Sequence, residues 1–292
     1  LLLDWGTDAS ILREAHEIYV YKRLAHHLVF GRFPLLLVGR FLALVVAFFL
    51  LARIVGREGG LLRLRAFVIG SMGIALVGIV LGLVGEFDPD AVAGLLRYYW
   101  FRLVDAAVPI AVALLAALWT SRLRDTRSPQ ARWVTAALVM ICGLHLAGYA
   151  LERPPGATPR GDKRVRHPAW QQVCEWIAQS PAIPRDTVFL VPMESQTFKW
   201  RTRRAEVVTR KDIPQDARTI VAWWHRLRDI YGTKPGDPEH QWHASLTELG
   251  PERLRELGAK YGAGYLLTEA NPRLPLERLY ANRGYAVYRL GR

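Results

Sequence analysis

The 292-residue chain has little cysteine, a shortage of acidic residues and none of the common catalytic signatures. Its two cysteines, Cys142 and Cys174, fall one in an apolar run and one in the polar half of the chain, so there is no disulfide framework. No glycine-rich phosphate loop, nucleophile elbow or H-E-x-x-H pair occurs, which removes the usual signals of soluble nucleotide, serine-hydrolase and zinc-protease chemistry. Asp and Glu number 26 against 39 Lys and Arg, a formal net charge of +13. The excess is spread over both halves, 15 basic against 10 acidic before residue 152 and 24 against 16 from residue 152 on. In a chain with membrane spans this points to anionic lipid, and nucleic acid is set aside as a partner.

Long apolar runs are abundant, at 34–52, 66–85, 103–120 and 133–151. Each approaches the roughly 20 residues needed to cross a hydrocarbon core. The second is free of charge, while Arg40 and His145 interrupt the first and fourth. The connecting loops alternate in sign. Arg53, Arg57, Arg63 and Arg65 follow the first run, and Arg122, Arg124, Arg127 and Arg132 follow the third. Between these loops lies an acidic connection, Glu86 to Asp90. Short cytoplasmic loops retain Lys and Arg, so the two arginine-rich loops are expected inside, with residues 1–33, the acidic loop and everything after about 152 outside. Few charges lie within the spans, which disfavours a transporter.

The expected fold class is therefore an α-helical membrane bundle of four transmembrane helices followed by a small α/β extracytoplasmic domain. Three regions are expected: an outer amphipathic helix in 1–33, the transmembrane region 34–151 and a soluble domain 152–292. Residue 1 is Leu, and no charged leader precedes the first run, so the chain is expected to be the C-terminal part of a longer protein, partnered by a missing N-terminal transmembrane portion.

An amphipathic helix is expected from Ala9 to Phe30, placing His16, Tyr19, Arg23 and His27 on one face, with Arg32 just beyond. Arg23, His26, His27 and Arg32 form a candidate cradle for a lipid phosphate, because Arg offers a bidentate fork and His one or two donors; the bland alternative is an interfacial helix meeting headgroups. Tyr98 to Phe101, four aromatics between Arg97 and Arg102, read first as an interface anchor. Arg102 is a further candidate phosphate contact. Asp105, at the mouth of the third span, is a weak candidate general base, with an ion pair to Arg102 as the simpler explanation. His145 reads as a neutral histidine bonded to a neighbouring helix.

In the tail, Trp170, Val173, Cys174 and Ile177 form the apolar stripe of a helix opened by Pro168. Strands are expected at 187–191, 205–209, 265–268, 276–280 and 286–290, and helices at 214–231 and 251–261. The densest basic run, Gln196 to Arg204, is read as extended. That places Lys199, Arg201 and Arg203 on one face as a possible anionic-ligand surface, the alternative being a charged edge strand. His225, His240 and His243 do not make a metal site by their spacing. No cofactor signature is present, and a divalent metal stays an open alternative.

Tyr19 to His27, Tyr98 to Pro109, Gln196 to Asp216 and the closing Tyr288, Arg289, Leu290 resemble the C-terminal part of an uncharacterised family of polytopic membrane proteins common in planctomycete-type bacteria. The order of helices and tail also resembles, loosely, the GT-C membrane glycosyltransferases, which use polyprenyl-phosphate sugars. That resemblance implies a multi-pass protein of the bacterial inner (cytoplasmic) membrane, with membrane lipid and a polyprenyl-phosphate sugar as partners and the tail orienting an acceptor. It places no catalytic carboxylate on this chain, since those of GT-C enzymes lie in an early outer loop. The competing expectation is a non-enzymatic, membrane-anchored envelope domain that binds lipid or a protein partner.

Overall fold

The computed structural model describes residues 6–56, 59–152, 157–162, 165–233 and 241–291. Arg57 and His240, which enter the sequence reading, lie outside the described residues. The chain divides into two compact units, one of residues 6–155 and one that begins at residue 156.

The first unit contains four helices long and apolar enough to cross a membrane: α3 (Leu35–Val55), α4 (Gly60–Phe87), α6 (Arg102–Asp125) and α7 (Gln130–Glu152). Each runs past its apolar stretch, so Arg53, Arg63, Arg65, Arg122, Arg124 and Arg132 belong to helix ends and not to loops. Two of them cap a neighbour. Arg65 donates to the carbonyls of Ala52 and Gly56, and Arg122 to that of Val55. The last carbonyls of α3, which have no partner within their own helix, are satisfied in this way.

α4 packs through its small residues. Ser71, Ala75, Gly78, Gly82 and Gly85 recur at steps of three and four and are buried, the spacing that lets membrane helices approach closely. At Gly78 a Cβ would sit 2.5 Å from Cβ of Trp100, and at Gly85 one would sit 2.9 Å from Cγ2 of Val92. The aromatic run is thereby drawn inward. Phe101 is buried and Trp100 packs on Gly78, while Tyr98 stays exposed. Helix packing therefore accounts for Phe101 and Trp100.

At this end of the bundle the expected single helix over Ala9 to Phe30 is broken into four pieces: α1 (Ala9–Glu17), a π-helical turn (Ile18–Arg23), α2 (Ala25–Leu28) and a 3₁₀ turn (Phe30–Arg32). The wider turn is marked by the bond from Leu24 N to Tyr19 O, five residues back. It lets Val20, Leu24 and Leu28 bury against Val92 and Leu96. Those two belong to a helix absent from the sequence reading, α5 (Pro89–Leu96), whose signal is Asp88 as N-cap, accepting from Ala91 N at 3.1 Å, with Pro89 next.

α7 buries only Ala131, and His145 and Cys142 are exposed on it; among the described residues no hydrogen bond supports the expected His145 bond to a neighbouring helix.

The second unit is α/β. Its mixed five-stranded sheet has the order β2-β1-β3-β5-β4, from β1 (Val188–Leu190), β2 (Ala205–Glu206), β3 (Ala263–Glu269), β4 (Glu277–Ala281) and β5 (Tyr285–Arg289). β2, β1 and β3 run parallel, and β5 is antiparallel to both β3 and β4. Three longer helices accompany it: α8 (His167–Gln179), α10 (Ala217–Tyr231) and α11 (Gly250–Tyr261). Alternation along the strands decides the core. Phe189, Tyr265, Leu267, Tyr285 and Val287 face Trp170, Val173, Cys174 and Ile177 of α8, as the helix stripe predicts. On the other side α11 closes against β3, where Gly258 lies so near the Ala263 carbonyl that a Cβ would approach it to 2.9 Å. Gly262 stops α11 at φ +69, a left-handed value that suits glycine.

Candidate functional site

Within the first unit a cavity of about 320 Å³ opens between the N-terminal pieces, α3, α4 and α6. Its walls are apolar, with Phe30, Phe33, Phe41, Ile79 and Val104 among them. The aromatic wall is continuous: Phe33 meets Phe101 edge-on with ring centroids 5.0 Å apart, and Phe30 lies 5.8 Å from Phe33. The polar lining comes from three side chains, His26, His27 and Asp105. The two imidazoles are ring neighbours at 4.1 Å. Pro109, one turn further along α6, has no N–H to give to the Asp105 backbone carbonyl, so that carbonyl is released from the helix ladder. An apolar groove with donors and a carboxylate at one end suits an amphiphile with a polar head.

The sequence-derived cradle is thus divided. His26, His27 and Asp105 share the groove, whereas Arg23, Arg32 and Arg102 are not part of its lining. The predicted row of His16, Tyr19, Arg23 and His27 is lost because the π-helical turn rotates the chain between them. His16 Nε2 instead lies 3.0 Å from Arg97 Nη1, and the Tyr19 hydroxyl lies 3.3 Å from that of Tyr99. Burial, with the Tyr99 hydrogen bond, pushes the Tyr19 phenol up to about 12. Arg102 sits over the Tyr99 ring at 5.1 Å and makes no ion pair with Asp105.

In the second unit the extended reading of Gln196 to Arg204 is corrected. Phe198–Thr202 is a short helix, α9, closed by Arg203 in the left-handed region at φ 54. Lys199, Arg201 and Arg203 consequently share no strand face. Arg201 is held by Asp162, whose side chain has no exposure; Nη2 donates to Oδ2 at 2.5 Å. The same carboxylate accepts from Thr197 Oγ1 at 2.5 Å and lies 2.8 Å from His167 Nδ1. Trp170 Nε1 in turn donates to Thr197 Oγ1 at 2.9 Å. Burial pushes the Asp162 carboxyl up, but the Thr197, Arg201 and His167 bonds outweigh it and hold the group below its ordinary range. This is a structural cluster.

Lys199 points elsewhere, toward Asp212 and, at 3.6 Å, Glu206. These three line a second cavity, of about 350 Å³, with Thr209, Trp223 and Arg226. Burial pushes the Glu206 carboxyl up to about 7 against the pull of Lys199 and Thr209. Glu206 was missed in the sequence reading; its one signal is a lone carboxylate in an expected strand, Ala205 to Thr209. His243, considered above for metal, lies 2.8 Å from Glu248 through Nδ1. Among the described residues no three His, Cys, Asp or Glu side chains converge to hold a metal ion.

Residues 168–230 match the model of a domain of unknown function (DUF6798). The match runs from α8 to α10 and includes the Glu206 cavity. No curated protein and no solved structure matches the chain.

Proposed function

We propose that this chain is the groove-bearing part of a multi-pass protein of the bacterial cytoplasmic membrane that binds a lipid-linked phosphate, in the manner of a transferase drawing sugar from a polyprenyl-phosphate donor. The observation that supports it best is the groove itself, which joins an aromatic and aliphatic wall to His26, His27 and Asp105. The wall suits an isoprenoid chain. The imidazole N–H groups suit phosphate oxygens, and Asp105 is the group placed to take a proton from an acceptor hydroxyl. Loop charge supports an outer position for this end of the bundle, since Arg65 and Arg122 gather at the other end of α3. The tail then lies on the outer side.

Binding of undecaprenyl phosphate to the full chain in detergent tests the reading. His26→Ala with His27→Ala removes two bonds to a charged group, and the affinity is expected to fall at least about tenfold. Arg23→Ala and Arg32→Ala are expected to leave it nearly unchanged. Equal affinity in the double histidine variant refutes the groove. A second reading, lipid binding without turnover, is favoured by the lining's single carboxylate, Asp105. Release of polyprenyl phosphate from a sugar-loaded donor separates the two, because the binding-only reading expects none.

A further inference from the structure

α3 and α4 follow one another in the chain, yet each packs on α6 and the two meet only sparsely. The cleft between them opens into a cavity of about 940 Å³. It runs from Val46 to Arg53 along α3 and from Leu62 to Ile69 along α4, about 10 Å of each helix. Val46, Phe49, Leu50, Leu62 and Ile69 line it and are each at least half exposed, so the cleft can be entered from outside the bundle.

Its polarity runs along the helices. Arg53 and Arg65 stand at the end where α3 stops and α4 begins, and every other lining side chain is apolar. Among the described residues no carboxylate lines it. Arg65 is committed through Nη2 to the Ala52 and Gly56 carbonyls, whereas Arg53 is exposed and makes no hydrogen bond or ion pair among the described residues. These facts select the occupant. Both helices are long and apolar enough to cross a membrane, so the cleft meets acyl chains, which are as apolar as its walls and fill it without preference. Preference comes from the open guanidinium, whose planar fork matches a phosphate. A soluble anion would engage Arg53 and leave the apolar length of the cleft empty, and a zwitterionic lipid brings a cation of its own to the arginines. We propose that this cleft binds an anionic phospholipid of the leaflet at the arginine-rich end of the bundle, its phosphate on Arg53 and an acyl chain laid between α3 and α4. The site lies at the opposite end of α3 from the His26 and His27 groove and does not rest on the reading given to that groove.

Native mass spectrometry of the full chain released from detergent micelles, after exposure to equal amounts of phosphatidylglycerol and phosphatidylcholine, tests the proposal. Phosphatidylglycerol is expected to be retained about fivefold over phosphatidylcholine, the preference that one arginine near a membrane surface supports. Arg53→Gln is expected to bring the ratio close to unity, while Arg63→Gln, at an exposed arginine outside the lining, leaves it unchanged. Ala66→Trp, at an exposed position of the cleft wall, fills the cavity with both arginines in place and is expected to abolish the preference with the melting temperature retained. Several outcomes overturn the proposal: equal retention of the two lipids by wild type, an unchanged ratio in Arg53→Gln or in folded Ala66→Trp, an equal fall in Arg63→Gln, displacement of the lipid by soluble glycerol phosphate, or a fall in His26→Ala with His27→Ala. Undecaprenyl phosphate binding reports on the other groove, so failure here leaves that reading intact.

Discussion

Removing the Asp162 carboxylate is the sharpest test of what holds the second unit together. Three side chains converge on this fully buried group, from Thr197, Arg201 and His167, and Trp170 is tied in through Thr197. Asp162→Ala strands the Arg201 guanidinium, whose Nε is already buried without a partner. Breaking a buried pair from one side costs about 3–5 kcal/mol. Arg201 retains 27% exposure, so water relieves part of this and the loss belongs near the low end, about 3 kcal/mol. At about 4 °C per kcal/mol for a domain of this size, the melting temperature should fall by roughly 12 °C. Asp162→Asn keeps the shape and neutral bonds, and should lose about half as much.

Thermal unfolding of the full chain in detergent, followed by tryptophan fluorescence, measures both variants. A carboxyl whose folded pKa is depressed contributes stability above its unfolded value and loses it as pH falls through the folded one. Wild type should therefore lose stability below about pH 4 more steeply than Asp162→Asn. An Asp162→Ala melt within about 3 °C of wild type, or parallel acid curves for wild type and Asp162→Asn, would refute the reasoning.

Glu206 has the opposite sign: its folded pKa is raised from 4.5 to about 7, so stability should decline as pH climbs between those values, and Glu206→Gln should flatten the decline in the same melts. Gly78→Ala places a methyl 2.5 Å from Cβ of Trp100 and should cost about 1–3 kcal/mol, whereas Gly70→Ala meets nothing within 4 Å and should be neutral; detergent half-lives compare the two. For topology, an impermeant maleimide added to whole cells should label Asp90→Cys and leave Arg127→Cys untouched, and the reverse pattern would invert the assigned sides.

Much of this architecture was legible because its signals are long or repeated. The four apolar runs, the stripe of Trp170, Val173, Cys174 and Ile177, and the β4–β5 hairpin turned by Asn282 to Gly284 each follow from local pattern. The misses came where distant partners decide. Lys199, Arg201 and Arg203 alternate like a strand, yet Thr197 and Arg201 are bound to Asp162, 35 and 39 residues away, and the segment coils into α9. The π-helical turn at Ile18 is likewise set by the surface of α5 on which Val20 and Leu24 pack. Of the candidate phosphate contacts, the histidines reached the groove and the arginines did not; side-chain type was readable, but direction depended on that turn. Glu206 stayed hidden because the burial of a carboxylate is a property of three-dimensional surroundings.

The strand order β2-β1-β3-β5-β4 has a consequence for biosynthesis. β5, the last of these strands to be made, occupies an interior place in the sheet, between β3 and β4. Tyr285 and Val287 lie against the α8 core, so the cover over Trp170 stays incomplete until those residues have emerged. Folding of this unit is thereby coupled to the emergence of β5. A chain halted before Tyr285 leaves β3 with an open edge and the α8 stripe only partly covered, a species open to recognition by quality control or to aggregation.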